Sequence, residues 1–322
     1  MVLSIQPARE PEELRALFVT RHQVFAVEEA FLPSHASGAI VDLYDALPTT
    51  TNLCAKVHGQ VVGGVRVTRD GEGGLPADDF WDFRTSLSES ARLASYGRMC
   101  VLRSHRDDPR IILNLLRLSM LWAVLHERTH LCGVVNPPAL ALVERMGFRP
   151  VGPEFRSPEG LPSIPVAMSI DAMAPDYMAF CRRQRPGLWL EALERRLYGP
   201  GEVIVRAGEP ADGALLVVEG QVLALTSSPT PVVLGAGEVF GARALVAPAS
   251  HPRTVKAVTP TMVMPLPRQR FMDQLQVRPE IVGDLLRGVD RRFDAGHDVE
   301  PSSGASGVFG AASTGVGLPG LP

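Results

Sequence analysis

Four cysteines occur in 322 residues, at Cys54, Cys100, Cys132 and Cys181, with no Cys-x-x-Cys pair and no neighbouring histidine pattern. That scarcity and spacing exclude a disulfide framework and a zinc site. No apolar run approaches the roughly 18 residues of a membrane-crossing helix. The opening stretch carries Arg9, Glu10 and Pro11 where a secretory leader needs unbroken apolar residues, so a cytoplasmic protein is expected. The formal net charge of -3 leaves no bulk attraction for nucleic acid or an anionic membrane. Basic residues do gather at Arg182, Arg183, Arg185, Arg195 and Arg196, a cluster expected to be a solvated linker surface.

The length suffices for two domains with separate cores, and 45% hydrophobic with 21% charged residues is ordinary globular composition. Up to Asp171 strands and helices alternate. Residues 1–20 read as a strand followed by an amphipathic helix over Glu12 to Val19. A polar turn at Leu47 to Thr51 leads into a hairpin whose strands, Asn52 to Val57 and Gln60 to Val67, are joined by His58-Gly59. Asp70 to Pro76 is expected as an exposed loop. A strand around Tyr96 to Leu102 precedes a helix over Ile111 to Glu127 that is apolar nearly all round, hence buried on a sheet. Strand Leu131 to Val135 follows. Pro137 and Pro138 open a short helix, Ala139 to Arg145, which Gly147 ends. Strand Val166 to Ile170 completes a mixed α/β half.

Beyond Asp171 the character changes. A helical connector is expected over Tyr177 to Leu197, then short strands separated by Gly, Pro and Asp turns, the pattern of an all-β jelly-roll barrel. A last helix is expected over Arg268 to Arg292. The tail from Pro301 to Pro322 is rich in Gly, Ala and Ser and uncharged, so it is expected to be disordered. It holds no helix-turn-helix, which removes a DNA-reading part.

Five features occur in order in the first half: Arg21 four residues before Phe25, Phe31 six further on, the pair Asp42 and Asp45, Arg66 at 21 residues beyond Asp45, and Arg98 within Gly97-Arg98-Met99-Cys100-Val101. Three arginines facing two aspartates would form charge-assisted pairs able to fix a site floor, with Asp45 and Arg66 expected as partly exposed charges. No Ser/His/Asp or Cys/His arrangement with recognisable local sequence is present, so a covalent acyl-enzyme is not expected. This series resembles the acyl-homoserine-lactone synthases and N-acyl amino acid synthases, a branch of the GNAT acyltransferases, over roughly residues 15–152. Asn136-Pro137-Pro138 and Glu144 to Phe148 resemble the late GNAT segment beside the donor thioester. The resemblance implies direct attack of an amine on a thioester, with Arg21, Phe25, Asp42, Asp45, Arg66 and Arg98 as catalytic residues. It implies donor-binding roles for Val101, Arg103, Arg106 and Asn136. The chain departs from the family twice. Ser95 stands where the family has a carboxylate, and the segment Arg103 to Asp108 has none of the glycines of the usual CoA pyrophosphate loop.

In the second half Pro200 to Ile204, Gly208 to Gly220 and Gly237 to Gly241 resemble the cyclic-nucleotide-binding domain, from about 186 to 292. The family cassette reads Phe-Gly-Glu-x-Ala-Leu and then an arginine. Here it reads Phe240-Gly241-Ala242-Arg243-Ala244-Leu245, with His251 at the arginine position and Arg253 two residues on, expected on the same strand face. The effector pocket implied by the resemblance is Gly241, Ala242, Arg243, Ala244, His251 and Arg253. Without the glutamate and the arginine, a cyclic nucleotide is expected to bind weakly. His251 is expected to favour an anion as it protonates near pH ~6.5.

The expected organisation is an α/β GNAT-like mixed sheet over 1–172, a helical connector over 173–197, a jelly-roll barrel over 198–293 and a tail over 294–322. The expected activity is N-acyl transfer from an acyl-CoA or acyl carrier protein to an amine such as an amino acid, under control of the barrel. No bound cofactor, metal or nucleic acid partner is expected. An acetyl-CoA-dependent N-acetyltransferase and a non-catalytic sensor remain open alternatives.

Overall fold

A computed structural model describes residues 2–173, 193–225 and 232–277. The first half runs β1 (Leu3–Pro7), α1 (Pro11–His22), β2 (Thr50–Val57), β3 (Gln60–Arg69), the single turn α2 (Phe83–Ser86), β4 (Leu93–Val101), α3 (Pro109–Leu125), β5 (His130–Val135), α4 (Leu140–Arg145), and β6 (Arg149–Pro150), β7 (Phe155–Arg156) and β8 (Pro162–Ser169). The second half continues with β9 (Arg195–Tyr198), β10 (Val203–Val205), β11 (Pro210–Ala211), β12 (Gly213–Glu219), β13 (Val222–Ala224), β14 (Val232–Leu234) and β15 (Val239–Phe240). It ends on α5 (Arg243–Val246), β16 (Ala249–Ser250), β17 (Val255–Ala257), β18 (Thr261–Pro267) and α6 (Arg268–Val277).

The helices obey their local signals. Pro11 opens α1, Glu12 and Glu13 sit at its positive end, and Arg21 and His22 at its negative end. Asp108 caps α3 by accepting the Arg110 amide at 3.0 Å, and Pro109 takes the first position. The α3 surface is buried on several faces, through Ile111, Leu115, Leu118 and Trp122 among others. Trp122 donates its ring N–H to Thr51 Oγ1 at 3.0 Å, which ties α3 to β2. Gly64 lets α1 lie close on the sheet: a Cβ there would sit 2.5 Å from both Leu17 Cδ1 and the Leu53 carbonyl oxygen.

One twelve-stranded sheet crosses both halves in the order β15-β12-β18-β9-β1-β2-β3-β4-β5-β8-β6, with β7 alongside β8. The junction is β1, which pairs antiparallel with β2 on one edge (Leu3↔Val57) and with β9 on the other (Leu3↔Leu197). Leu3 and Ile5 share a single apolar core with Leu115 of α3 and with Leu216, Met264 and Phe271 of the second half.

Several expectations need correction. The C-terminal strands do not close into a barrel among the described residues. They form the sheet extension β9-β18-β12-β15, a separate four-stranded sheet β10-β17-β13-β14, and the pair β11-β16. β9 pairs with β18 on one side and with β1 on the other, so this sheet continues into the first half. Residues 195–197, expected at the end of a helical connector, are strand. Arg195, expected to be solvated, is completely buried. Leu75 and Pro76, at the end of the expected exposed loop, are buried, Leu75 beside Phe83 and Leu93. Ile170 leaves β8 for a helical turn. Residues 174–192 of the expected connector, residues 278–292 of the expected last helix, and the tail lie outside the described residues.

Candidate active site

A network of opposite charges forms where α1, β3 and β4 meet. Arg21, in the last turn of α1, is turned inward and fully buried. Its Nη1 donates to Asp45 Oδ1 at 2.8 Å and its Nη2 to Asn52 Oδ1 at 2.5 Å. Asp42 and Asp45 bracket a single 3-10 turn and cap it reciprocally: Asp42 Oδ1 accepts the Tyr44 amide at 3.1 Å, and Asp45 Oδ2 accepts the Asp42 amide at 3.1 Å. Arg66 of β3 pairs with Asp42 and lies 3.4 Å from Asp45 Oδ2. Its guanidinium also sits 5.4 Å from the centre of the Tyr44 ring.

Arg98 joins the network through a backbone irregularity. Arg66 pairs with Gly97 and Gly64 with Cys100, so β4 has one residue more than β3 across that interval. Arg98 takes up the extra length at a φ of 52°, in the left-handed region. Its Nη2 then reaches Asp42 Oδ2 at 3.2 Å. Asp45 and Arg66, expected as partly exposed, are buried instead, at 2% and 4% side-chain exposure. Burial pushes the Asp45 carboxyl up, but Arg21 and Arg66 outweigh it and hold it below the usual carboxylate range.

Next to this network β4 and β5 part. They pair in parallel for three positions only, from Leu93↔His130 to Ser95↔Cys132. A cavity of about 640 Å³ reaches the residues beyond the last pair, Gly97 to Val101 on β4, and Val134 and Val135 at the end of β5 with Asn136 just past it. Leu32, Ile112, Leu116 and Leu142 add apolar wall, and Asp42, Arg66, Arg98, Asp79 and Glu159 add charge. Phe25 and Phe31 line it too, as do Val101, Arg106 and Asn136 among the expected donor residues. Arg103 is not part of that wall; it bonds to Glu28. Cys100 lines the cavity, but burial pushes its thiol up to about 11, which leaves it protonated and a poor nucleophile. Ser95 is buried within β4.

Sequence reasoning did not find Asp79. It lies in a 3-10 turn, Pro76–Asp79, and accepts the Tyr44 hydroxyl at 3.0 Å. Burial and the hydrogen bond to Asp79 raise the Tyr44 phenol, which therefore stays a donor. Nothing in the local sequence marks Asp79, because its partner is 35 residues away.

In the second half, Gly241 (φ 76°), Ala242, Arg243 and Ala244 turn from β15 into α5, with Ala244 buried and Arg243 exposed. The His251 ring lies against Gly241: a Cβ there would stand 3.6 Å from its Cε1. His251 is buried, its amide donating to the Glu209 carbonyl at 2.9 Å and its carbonyl accepting from Gly208 at 2.8 Å. Burial lowers its pKa, against the opposing charges of Glu209 and Asp212, so protonation is disfavoured there rather than available near 6.5. Neither His251 nor Arg253 stands on a strand: both precede β17, Arg253 in a bend, because the strand begins only at Val255.

Residues 16–171 match the family model of the N-acyl amino acid synthase FeeM, and residues 195–278 match that of the cyclic nucleotide-binding domain. The first half is therefore similar in sequence to N-acyl amino acid synthases, and the second to cyclic nucleotide-binding domains. Similar solved structures include FeeM, an N-acyl amino acid synthase from uncultured soil microbes (20% identity, TM-score 0.43, 52% of this chain and 91% of that one). The catabolite activator protein of Thermus thermophilus is another (26% identity, TM-score 0.26, 29% of this chain and 46% of that one). A cyclic nucleotide-gated potassium channel of Mesorhizobium japonicum is 39% identical over 92 residues, which are 29% of this chain and 25% of the channel. The chain thus spans about a quarter of that relative's length. Among the described residues no helix is long and apolar enough to cross a membrane.

Proposed function

We propose that this chain is an N-acyltransferase that moves an acyl group from a thioester donor to an amine such as an amino acid, in the cavity between β4 and β5. The observation that carries the reading is the charge network Arg21–Asp45–Arg66–Asp42–Arg98 opening onto a mostly apolar cavity at parted parallel strands. The apolar wall suits an acyl chain of several methylenes. The charged wall suits an acceptor bearing an ammonium and a carboxylate. Arg98, 25% exposed and already oriented by Asp42, is the cation positioned for the carboxylate. Asp79 and Glu159 line the same cavity and, among the described residues, are not spent on an arginine, so they attract the ammonium.

The amine attacks the thioester carbonyl once it has lost a proton. The C–N bond forms, the C–S bond breaks, and the thiolate leaves as a thiol after taking up a proton. With Cys100 protonated and no Ser–His pair in the wall, the acyl group passes directly to the amine. We assign this chemistry to residues 1–172 and a controlling or scaffolding role to residues 198–293, with acyl carrier protein as a candidate donor partner. Thiol release from octanoyl-CoA and from octanoyl-acyl carrier protein, measured with each of the common amino acids, tests the reading. Mass spectrometry should find an N-octanoyl amino acid. Thioester left intact with every donor and acceptor would remove the proposal.

A further inference from the structure

The turn between β4 and α3 opens at the cavity, and a helix N-terminus normally offers an anion partial positive charge and unpaired amides. Here the groups that would do so are engaged by the chain itself. Asp108 accepts the Arg110 amide, Pro109 has no N–H, and the Arg110 guanidinium folds back to Asp108 Oδ2 at 2.7 Å. Arg106 donates to Glu28 Oε2 at 2.8 Å and to Glu29 Oε1 at 2.5 Å, and its Nε donates to the Val101 carbonyl at 2.9 Å. The Arg103 amide donates to Glu28 Oε2 at 3.0 Å, and its Nη2 donates to the Glu28 carbonyl at 2.6 Å and lies 3.5 Å from Glu29 Oε1.

Glu28 ends a π-helical turn, Gln23–Glu28, that also sends Val24 and Phe25 into the cavity wall beside Glu29 and Arg106. Two carboxylates therefore meet two guanidiniums at the cavity rim. Hydrogen bonding and charge from Arg106 hold the Glu29 carboxyl below its ordinary range, so it stays ionised. A phosphate approaching this rim meets cations already paired within the chain, Arg106 at 37% and Arg103 at 64% side-chain exposure, and carboxylates that repel it.

We propose that Glu28 and Glu29 set donor specificity: they occupy Arg103 and Arg106 in place of the diphosphate and 3′-phosphate of a CoA thioester. The chain then recognises a donor through its acyl and pantetheine portions and selects against the nucleotide. This rests on reading the cavity as the acyl-transfer site, and the test is a binding measurement so that the two can fail separately. Calorimetry on the full chain would compare CoA, pantetheine and 3′-phosphoadenosine 5′-phosphate, for the wild type and for E28Q/E29Q. The wild type should bind CoA no more than about threefold tighter than pantetheine, because Arg103 and Arg106, the cations at this rim, are already held by Glu28 and Glu29. The double variant should bind CoA and the nucleotide at least about tenfold tighter than the wild type, a gain that shrinks between about 50 and 300 mM salt, with pantetheine unchanged. Tight, phosphate-dependent CoA binding by the wild type would overturn the proposal, and that comparison needs no variant to fold. Unchanged CoA affinity in E28Q/E29Q would overturn it equally. Absence of acyl transfer in the thiol-release assay would instead strike the functional reading and leave this result standing.

Discussion

Arg117 of α3 and Glu219 at the end of β12 are 102 residues apart in sequence and meet through two hydrogen bonds, Nη2 to Oε1 at 2.6 Å and Nη1 to Oε2 at 3.1 Å. This pair fastens the central helix of the N-terminal half to the first strand that the C-terminal half adds beyond β18. Arg117 and Glu219 are about a quarter to a third exposed, so solvent screening reduces what the pair contributes. A double-mutant cycle with Arg117→Ala and Glu219→Ala should give a coupling of roughly 1 kcal/mol in urea unfolding. A coupling indistinguishable from zero would show that screening cancels what the pair contributes to holding the two halves together.

Asp45→Asn should destabilise the fold by about 3–5 kcal/mol, because it leaves Arg21 buried without its anionic partner. Asp42→Asn, at a position with 27% side-chain exposure, should cost less stability while still removing acyl transfer through the loss of Arg66 and Arg98 alignment. Urea titration and thiol-release kinetics on both variants separate the two effects. Equal stability losses would remove the distinction between the floor of the site and its working face.

The Asp45 carboxyl is held low in the folded state, so its contribution is fully present above the unfolded value of about 3.9. That contribution fades as pH falls through the lower folded value. Stability measured from pH 6 to about 2 should therefore decline more steeply for the wild type than for Asp45→Asn. Parallel slopes would show that Arg21 does not select the ionised carboxyl.

His251 shifts stability with pH in the same direction as Asp45. Its folded pKa is depressed by burial, so the unfolded chain takes up the proton first, and stability falls as pH drops through about 6.5. His251→Gln should flatten the profile between about pH 7.5 and 5.5. A wild-type profile already flat there would place the ring in solvent.

Gly64→Ala should destabilise by about 1–3 kcal/mol, since the added methyl meets a backbone carbonyl, Leu53 O, as well as the Leu17 side chain. Thermal unfolding reads it directly, and an unchanged midpoint would show that α1 can lift from β3.

Much of this molecule was legible in short stretches of sequence. Gly147 marks a helix end, His58-Gly59 marks a hairpin, and the apolar run of α3 marks a buried helix, because each signal acts within a turn or two of the chain. The order Arg21, Asp42, Asp45, Arg66, Arg98 likewise announced a set of charges with matching signs, and the structure brings all five together. Asp79 and Glu159 were not legible, since a carboxylate in a turn looks the same whether it faces a cavity or water.

Sequence alone thus determined the two-part organisation, the local elements and the identity of the charged cluster, all of which depend on neighbours along the chain. Only tertiary structure decided that β9 would pair with β1 and that, among the described residues, the C-terminal strands would form separate sheets instead of a closed barrel. It alone decided that Arg195, Asp45 and Arg66 would be buried, and that Glu28 and Glu29 would claim Arg103 and Arg106. The physical reason is common to these cases. Strand pairing, burial and ion-pair choice depend on which edge, apolar face or counter-charge another part of the fold brings near, and residue spacing along the chain carries no record of that.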